Sequence, residues 1–270
     1  HVKEMKVLTD LDRPCAFVPT MGALHAGHQS LIRRAREFCD EVVVSVFVNP
    51  LQFEDIDDLA KYPKTPERDA QLASDAGATV LWRPDYETIY PNEIRRLSSG
   101  ELGKKFEGVH RPGHFEGVLT VVNRLFELVK PQYAVFGEKD FQQLFLITKM
   151  AAELHPDIEI VPAPTIRESS GLAMSSRNVR LNSESRVAAD VISQSLRSAA
   201  REENMESARR KLLGATSEAR FTLDYAEIID EETFDIATEE TVKPRAIVAG
   251  WIDGVRLIDN MAMKSALVRA

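Results

Sequence analysis

The sequence has few of the residues that mark several special classes of protein. Only two cysteines, Cys15 and Cys39, occur in 270 residues, which leaves no disulfide framework or CxxC metal motif and favours buried, reduced thiols. Gly and Pro number 13 each, which excludes collagen-like and low-complexity chains. No apolar run approaches the roughly 20 residues of a membrane helix, and residues 1–6 contain no signal-peptide core. We therefore expect a cytoplasmic protein with no membrane partner.

Basic residues are also outnumbered, with 34 Lys and Arg against 42 Asp and Glu and a formal net charge of -8. An acidic chain is poorly suited to broad contact with a phosphate backbone, so no nucleic-acid partner is expected. The length allows one large domain or two modest ones, each with its own core.

Short apolar strands alternate with amphipathic helices in the first part of the chain. The predicted strands cover residues 15–19, 42–48, 79–82, 133–136 and 158–161. The predicted helices cover residues 30–38, 66–77, 118–129 and 141–154. Repeated strand–helix units of this kind indicate a doubly wound parallel sheet with helices on both faces.

The pattern changes after Pro162 and Pro164. Two helices are predicted at 184–202 and 205–220, followed by antiparallel strands at 222–229 and 246–256, the second broken by Gly250 and Gly254. The sequence therefore predicts two domains, residues 1–166 with an α/β fold and residues 167–270 with a smaller α+β fold.

The first predicted strand leads into PTMGALHAGH, residues 19–28, and then into a helix. Ligands of open parallel sheets bind at this edge, where helix N-termini offer N–H groups to phosphate. Gly22 and Gly27 allow close backbone approach, and His25 and His28 can donate hydrogen bonds to phosphate oxygens. The alternatives are two histidines satisfied within the loop, or half a metal site. We predict no protein metal ligand, because no third ligand lies at a suitable spacing.

A second polar motif, GLAMSSRN, covers residues 171–178. Its two hydroxyls and one guanidinium can bind a triphosphate and follow the departing pyrophosphate, although such a loop alone is often a solvated turn. Together the two motifs resemble the HxGH nucleotidylyltransferase and class I aminoacyl-tRNA synthetase superfamily, whose reaction is attack on the α-phosphorus of a nucleoside triphosphate. Ala173 and Ser176 stand where the synthetase KMSKS motif has lysines, so Arg177 must supply the charge.

The segment GEKDFQQ, residues 137–143, follows another predicted strand. Lys139 can reach ATP phosphates, Asp140 can accept from a ribose hydroxyl or lie near magnesium, and Gln143 faces the same side one turn later. The alternative is an exposed Lys–Asp pair that caps a helix.

The segment FVNPLQF, residues 47–53, places Gln52 in an apolar setting. A buried amide needs partners, and a substrate hydroxyl or carboxylate would supply one. An Asx-type turn at Asn49-Pro50 is the alternative.

In this order, the four segments resemble the pantothenate synthetase (pantoate–β-alanine ligase) family. The resemblance implies a Rossmann-like sheet of the HxGH nucleotidylyltransferase type with a C-terminal α+β lid. It also implies ATP, pantoate and β-alanine as substrates, a pantoyl-adenylate intermediate, Mg²⁺ with the ATP, and a homodimer.

The resemblance also implies site residues. His28 is the expected proton donor, and His25, Lys139 and Arg177 complete the predicted catalytic set. Gln52 and Gln143 are expected to bind pantoate, with Gln52 also near β-alanine. The implied ATP-binding residues are Met21, Gly22, Ala23, Leu24, His25, Ala26, Gly27, His28, Gly137, Glu138, Lys139, Asp140, Ile166, Met174, Ser175, Ser176 and Arg177.

Two features leave alternatives open. Residues 94–115 are basic within an acidic chain, which is typical of either a flap near an anionic site or a solvated loop. The HxGH motif is shared with other nucleotidylyltransferases, and a non-catalytic nucleotide-binding regulator could carry the same loops. A tRNA synthetase is disfavoured, because no basic anticodon-binding domain is present.

Overall fold

The computed structural model describes residues 2–6, 8, 11–53, 59, 60 and 62–264. The chain divides into two compact units. The first consists of His1–Glu138 and Gln142–Pro164, and the second of Lys139–Phe141 and Thr165–Ala270. The short segment Lys139–Phe141 therefore belongs with the C-terminal part of the chain, although residues of the first unit flank it on both sides.

A parallel sheet forms the centre of the first unit. Its six strands run in the order β1-β4-β3-β2-β5-β6. Their bounds are β1 Lys3–Met5, β2 Cys15–Thr20, β3 Glu41–Val46, β4 Val80–Trp82, β5 Tyr133–Gly137 and β6 Glu159–Ala163. The predicted parallel sheet is confirmed, and β6 extends two residues further than predicted, through Pro162.

Helices connect these strands. They are α1 Ala26–Arg36, α2 Pro66–Ala76, α3 Tyr86–Ile89, α4 Glu107–His110, α5 His114–Val129 and α6 Phe141–Leu154. α6 matches its predicted bounds, whereas α1 and α5 each begin four residues before the predicted start. The early turns of α1 and α5 contain His and Gly residues, which weaken the apolar periodicity used to predict a helix. None of the helices in the described residues is long and apolar enough to span a membrane.

The central strands are apolar on both faces, as a sheet covered by helices on both sides requires. Phe17, Val43 and Val44 are fully buried. The two cysteines are also buried and not bonded to each other, and burial raises the pKa of Cys15 to about 11. These thiols therefore act as small core residues, because the nucleophilic thiolate form is suppressed.

The direction in which the sheet is built reverses at β2. From β2 the chain proceeds outward to β3 and then β4, whereas β5 pairs with the opposite side of β2 and β6 follows beyond it. Such a switch point leaves a crevice outside the carboxyl ends of the two central strands. The HxGH loop follows β2 and the GEKDFQQ segment follows β5, so both motifs begin at this edge.

The second unit contains two helices and an antiparallel sheet. The elements are α7 Ser183–Ala199, α8 Met205–Leu212, β7 Phe221–Asp230, β8 Pro244–Ile252 and β9 Val255–Ala262, with β8 in the middle of the sheet. The predicted second helix was too long, since α8 ends at Leu212 and a 3₁₀ turn follows.

The strand predicted over 246–256, broken at Gly250 and Gly254, is two strands joined by a tight turn that contains Gly254, whereas Gly250 lies within β8. Asp253 and Gly254 form the turn between β8 and β9 with φ values of 45° and 78°. Asp-Gly is a common pair in the two-residue turns that join antiparallel strands. This dipeptide was the available signal for the hairpin.

Helix α5 packs closely against the 3₁₀ turn Pro50–Gln52. A Cβ atom added at Gly117 would lie 2.3 Å from the carbonyl oxygen of Leu51 and 2.7 Å from the backbone nitrogen of Gln52. Both neighbours are backbone atoms, so a side chain cannot be accommodated by a rotamer change. The glycine therefore determines how closely the turn that carries Gln52 approaches the helix.

We predict that Gly117→Ala destabilises the protein, although Gly-to-Ala changes inside ordinary helices are stabilising. The expected loss in free energy of unfolding is about 1–3 kcal/mol, typical of overpacking, and urea unfolding would measure it. Gly214→Ala is the matched control, because no atom lies within 4 Å of the added Cβ. Equal stability of the two variants would contradict the close packing of α5.

Candidate active site

The loop after β2 begins with a threonine that fixes the end of the strand. Thr20 Oγ1 donates to the carbonyl of Ser45 at 2.7 Å and accepts from Gly22 N at 3.2 Å. Gly22 has a φ of +83°, and a Cβ there would lie 2.9 Å from Val46 Cγ1. Left-handed backbone and lack of space both require glycine at this position.

The next two backbone N–H groups bind a carboxylate of the chain itself. Ala23 N and Leu24 N donate to Asp69 at 3.1 and 2.8 Å. Asp69 lies in the first turn of α2 and was not among the predicted site residues. The sequence predicts that the backbone of this loop is directed towards phosphate, but the N–H groups of Ala23 and Leu24 already bind Asp69.

His25 and His28 form a pair at the start of α1, with ring centroids 4.1 Å apart. His25 caps the helix, and its Nδ1 accepts from Gly27 N at 3.1 Å. His28 Nδ1 accepts from His25 N at 3.3 Å. A backbone N–H can only donate, so each Nδ1 carries a lone pair and each neutral ring has its proton on Nε2. The pair therefore carries its two ring protons on Nε2, which agrees with the expectation that both histidines can donate hydrogen bonds.

The half-metal-site alternative has little structural support. In the part of the chain that the structure describes, no group of three or more His, Cys, Asp or Glu residues is placed to hold a metal ion. Both Nδ1 atoms of the pair also accept backbone hydrogen bonds.

Asn49 lies in a buried hydrogen-bond network after β3. Its Oδ1 accepts from Leu51 N at 3.3 Å, the Asx-type turn considered from the sequence, and from the Tyr90 hydroxyl at 2.9 Å. Its Nδ2 donates to the carbonyl of Gly117 at 3.0 Å. Burial raises the pKa of Tyr90, so this hydroxyl stays protonated and remains a donor.

This network orients Gln52. Asn49 Nδ2 also donates to Gln52 Oε1 at 3.2 Å, and Gln52 Nε2 lies 3.1 Å from Met21 Sδ. His114 Nδ1 lies 3.0 Å from the Gln52 carbonyl, while its Nε2 lies 2.9 Å from Arg111 Nη1. Because Arg only donates, His114 Nε2 accepts and Nδ1–H donates to Gln52. Both the backbone and the amide of Gln52 are thus held in place.

The two glutamines that begin α6 have different surroundings. Gln143, the predicted pantoate ligand, is half-buried in the first turn of the helix. Gln142 is buried, donates to the carbonyls of Leu102 and Lys105 at 2.9 and 3.0 Å, and accepts from Glu107 N at 3.1 Å. The basic segment 94–115 is therefore anchored at its middle.

Lys139 belongs to the second unit. Its carbonyl accepts from Asn260 Nδ2 at 2.9 Å, and Arg245 Nη1 donates to Asn260 Oδ1 at 2.6 Å. The Lys139 ammonium lies 3.9 Å from Asp140 Oδ1, which is too long for a direct hydrogen bond. The backbone at Lys139 is thus held by β9, a tertiary contact that the sequence pattern did not reveal.

The MSSR loop is anchored at its base. Ser175 Oγ accepts from Arg177 N at 3.2 Å, which begins a 3₁₀ turn. Asn178 is buried, and its Nδ2 donates to Glu168 Oε1 and to the Ala173 carbonyl, both at 3.0 Å. The loop is therefore not simply a solvated turn, because its base at Asn178 is buried.

Two arginines reinforce this loop. Arg186 contacts both carboxylate oxygens of Glu168 at 2.7 Å. Arg167 donates to both oxygens of Asp259 at 2.5 and 2.9 Å. The Arg167–Asp259 pair is bidentate and fixes direction as well as distance, whereas Arg186 uses Nη1 alone for both oxygens of Glu168. Ile166 accepts from Met174 N at 2.9 Å through its carbonyl, so these two predicted nucleotide-binding residues are neighbours.

The predicted residues thus fall into two groups. The first unit contains Met21 to His28, Gln52, Gly137, Glu138 and Gln143, after the carboxyl ends of β2, β3 and β5. The second unit contains Lys139, Asp140, Ile166 and Met174 to Arg177. Direct contacts join His25 with His28 and Met21 with Gln52.

Comparison with known proteins gives a consistent family. Residues 1–262 match the family model described as pantoate-beta-alanine ligase. A protein from Acidothermus cellulolyticus named pantothenate synthetase is 46% identical over 269 residues, covering 95% of this chain and 88% of that protein. A protein of the same name from Rhizorhabdus wittichii is 45% identical, covering 94% of this chain and 92% of that protein.

Solved structures agree. A pantothenate synthetase from Thermus thermophilus superimposes with a TM-score of 0.91 at 41% identity, covering 96% of this chain and 99% of its own. A pantoate-beta-alanine ligase from Francisella tularensis, complexed with beta-gamma ATP and beta-alanine, has a TM-score of 0.80 at 34% identity, covering 97% of each chain. The resemblance carried by the four sequence segments is confirmed. Because sequence and fold match over nearly the whole length, the chain belongs to the pantoate–β-alanine ligase family.

Proposed function

We propose that the protein condenses pantoate with β-alanine to form pantothenate, using ATP and releasing AMP and pyrophosphate through a pantoyl adenylate. The observation that carries this proposal is the pair of Nε2–H donors on His25 and His28, at the switch point of the parallel sheet. Family membership supports the overall reaction. The relative complexed with an ATP compound and β-alanine supports two of its substrates.

The chemistry requires an activated carboxylate. A carboxylate does not react with an amine at neutral pH, so it is first converted to a mixed anhydride with AMP. Negative charge then grows on the α-phosphate and on the departing pyrophosphate. Neutral donors on His25 and His28, together with the charges of Lys139 and Arg177, would stabilise that charge. A neutral His28 ring would act as a hydrogen-bond donor rather than as the expected proton donor, because loss of its Nε2 proton would leave an imidazolate.

Pantoate offers a carboxylate and hydroxyls, which accept hydrogen bonds. The oxygen of the Gln52 amide accepts from Asn49, so its NH₂ group is the part suited to such an acceptor. We assign Gln52 and Gln143 to pantoate, with Gln52 also near β-alanine.

The proposed nucleotide contacts come from both units. Met21 to His28, Gly137 and Glu138 of the first unit would bind ATP, as would Lys139, Asp140, Ile166 and Met174 to Arg177 of the second. An adenylate hydrolyses in water, so the second unit is proposed to act as a lid that excludes water during the reaction.

Mg²⁺ is proposed to enter with ATP. Magnesium is often bound by one or two carboxylates together with substrate phosphates. The half-exposed carboxylate of Asp140 is compatible with that pattern and would lie near the ion. Bound there, the ion would neutralise part of the phosphate charge.

We also propose that the protein is a homodimer, which sedimentation would test. We propose a cytoplasmic location, where ATP is supplied.

We predict that His28→Ala lowers the rate of adenylate formation by about 10²–10³-fold, the usual cost of losing a transition-state donor. Arg33→Ala, an exposed change on the same helix, is the control and should retain wild-type turnover. AMP release with pantoate, β-alanine and ATP would measure both. Near wild-type activity of the His28 variant would show that the pair is only structural.

A different response is expected from Gln143→Ala. Losing an amide donor to pantoate should weaken pantoate binding at least tenfold while leaving ATP affinity nearly unchanged. Isothermal titration with each ligand separately would measure both affinities, with the exposed Gln71→Ala as the control. Loss of ATP affinity instead would assign Gln143 to the nucleotide.

The order of chemistry has its own test. Enzyme with pantoate and Mg²⁺ but no β-alanine should exchange labelled pyrophosphate into ATP, because adenylate formation is reversible while the intermediate stays bound. Arg177→Ala should reduce exchange and overall synthesis together. An active enzyme without pantoate-dependent exchange would exclude the acyl adenylate.

Two other outcomes would indicate a different function. Nucleotide transfer that releases pyrophosphate but no AMP would indicate another nucleotidylyltransferase. ATP binding without turnover would indicate a regulator.

A further inference from the structure

Asp69 is a buried carboxylate that faces the HxGH loop. Its side chain is 1% exposed and accepts three hydrogen bonds. Oδ1 accepts from Leu24 N at 2.8 Å and from Thr65 Oγ1 at 2.9 Å, and Oδ2 accepts from Ala23 N at 3.1 Å. A buried carboxylate is costly unless such donors surround it, so its retention at this place requires a reason.

The loop has the backbone form of an anion-binding turn. Gly22 and Ala23 both have positive φ, +83° and +49°, and consecutive N–H groups in such a turn converge on an anion. Here the anion is the carboxylate of Asp69. We propose that Asp69 is a positioning residue, whose carboxylate fixes the loop so that the two histidines present their Nε2–H groups to substrate.

The geometry shows how the effect reaches the rings. The bonds from Ala23 N and Leu24 N fix the two peptides Gly22–Ala23 and Ala23–Leu24, which directly precede the peptide that leads into His25. His25 N in turn donates to His28 Nδ1, and Gly27 N donates to His25 Nδ1. A shift of the loop backbone would therefore change the hydrogen bonds that set both ring orientations. The inference rests on the proposed function, in which these rings contact phosphate.

A carboxylate is specifically required. It offers acceptors on both oxygens, whereas an Asn amide of the same shape would direct an NH₂ group at one of the two backbone N–H donors. Asp69→Asn therefore changes the hydrogen bonding with little change in volume. Asp75→Asn on the same helix is the matched control, because Asp75 is exposed and accepts only a side-chain bond from Gln71 among the described contacts.

The experiment measures pantoate-dependent pyrophosphate exchange in the full-length protein. We expect Asp69→Asn to lower kcat for exchange by about 10²-fold, the scale of a misplacement of roughly 1 Å at a reacting centre. The KM for pantoate should change less than threefold, because Gln52 is held by Asn49 and His114 and Gln143 lies on a different helix from Asp69. Asp75→Asn should match the wild type. A folded Asp69→Asn variant with wild-type exchange would overturn the proposal.

A spectroscopic readout separates positioning from general stability. In the wild type, ¹⁵N shifts of the His25 and His28 rings should show the Nε2–H form, and Asp69→Asn should alter them while the signal of His155 stays unchanged. These spectra test the positioning even if the wild type shows no exchange, which would instead contradict the proposed function. Unaltered His25 and His28 signals in folded Asp69→Asn would overturn the inference.

A milder variant tests the inference if Asp69→Asn does not fold. Thr65→Val removes one of the three donors to Asp69 while leaving both backbone bonds in place. If circular dichroism shows that Asp69→Asn is unfolded, the exchange rate and imidazole signals of Thr65→Val test the positioning role instead. A fall of about threefold or more in exchange, with shifted imidazole signals, would support the positioning role, and wild-type values for both would overturn it.

Discussion

The arrangement of the candidate site depends on the need to satisfy the backbone N–H groups of one tight turn. After β2 the chain reverses within a few residues. The backbone N–H groups of Gly22 to Gly27 therefore find no acceptor in the sheet or within helix α1, which begins at Ala26. Thr20, Asp69 and the Nδ1 atoms of the two histidines accept from this turn. Because both Nδ1 atoms accept from this turn, the rings carry their protons on Nε2, the atoms that we propose contact phosphate. The same hydrogen bonds that make the turn possible thus determine which atoms it presents.

The second unit fixes its polar loop mainly through ion pairs. Its polar loop is stabilised by charged pairs, Arg167 with Asp259 and Arg186 with Glu168, in addition to the cap that Ser175 provides for the 3₁₀ turn. In both units most groups proposed to contact ligand lie on loops or in the first turn of a helix, next to residues that are buried or hydrogen-bonded. Packing and hydrogen bonds from neighbouring residues allow a loop to hold a side chain in one orientation.

Much of the fold follows from local patterns in the sequence. Apolar runs such as 42–48 predicted the central strands, and the HxGH segment predicted a histidine pair at a helix start. The role of Asp69 could not be predicted, since an acidic residue in a first helical turn is already explained by the helix dipole. Gln142 and Gln143 are indistinguishable by spacing, and only tertiary contacts separate their roles. The Asp-Gly hairpin was missed because one apolar run continues across it.

The placement of Phe141 has a consequence for modularity. Its ring stacks on Phe234, with centroids 6.0 Å apart, and the Arg245 guanidinium lies 3.9 Å from the ring centroid. The second unit therefore takes an aromatic residue from a distant part of the sequence. A fragment that starts at Thr165 would lack it and leave the faces of Phe234 and Arg245 uncovered. The C-terminal region alone therefore lacks one of its packing residues. Exchange of that region between related enzymes would separate Phe141 from Phe234 and Arg245.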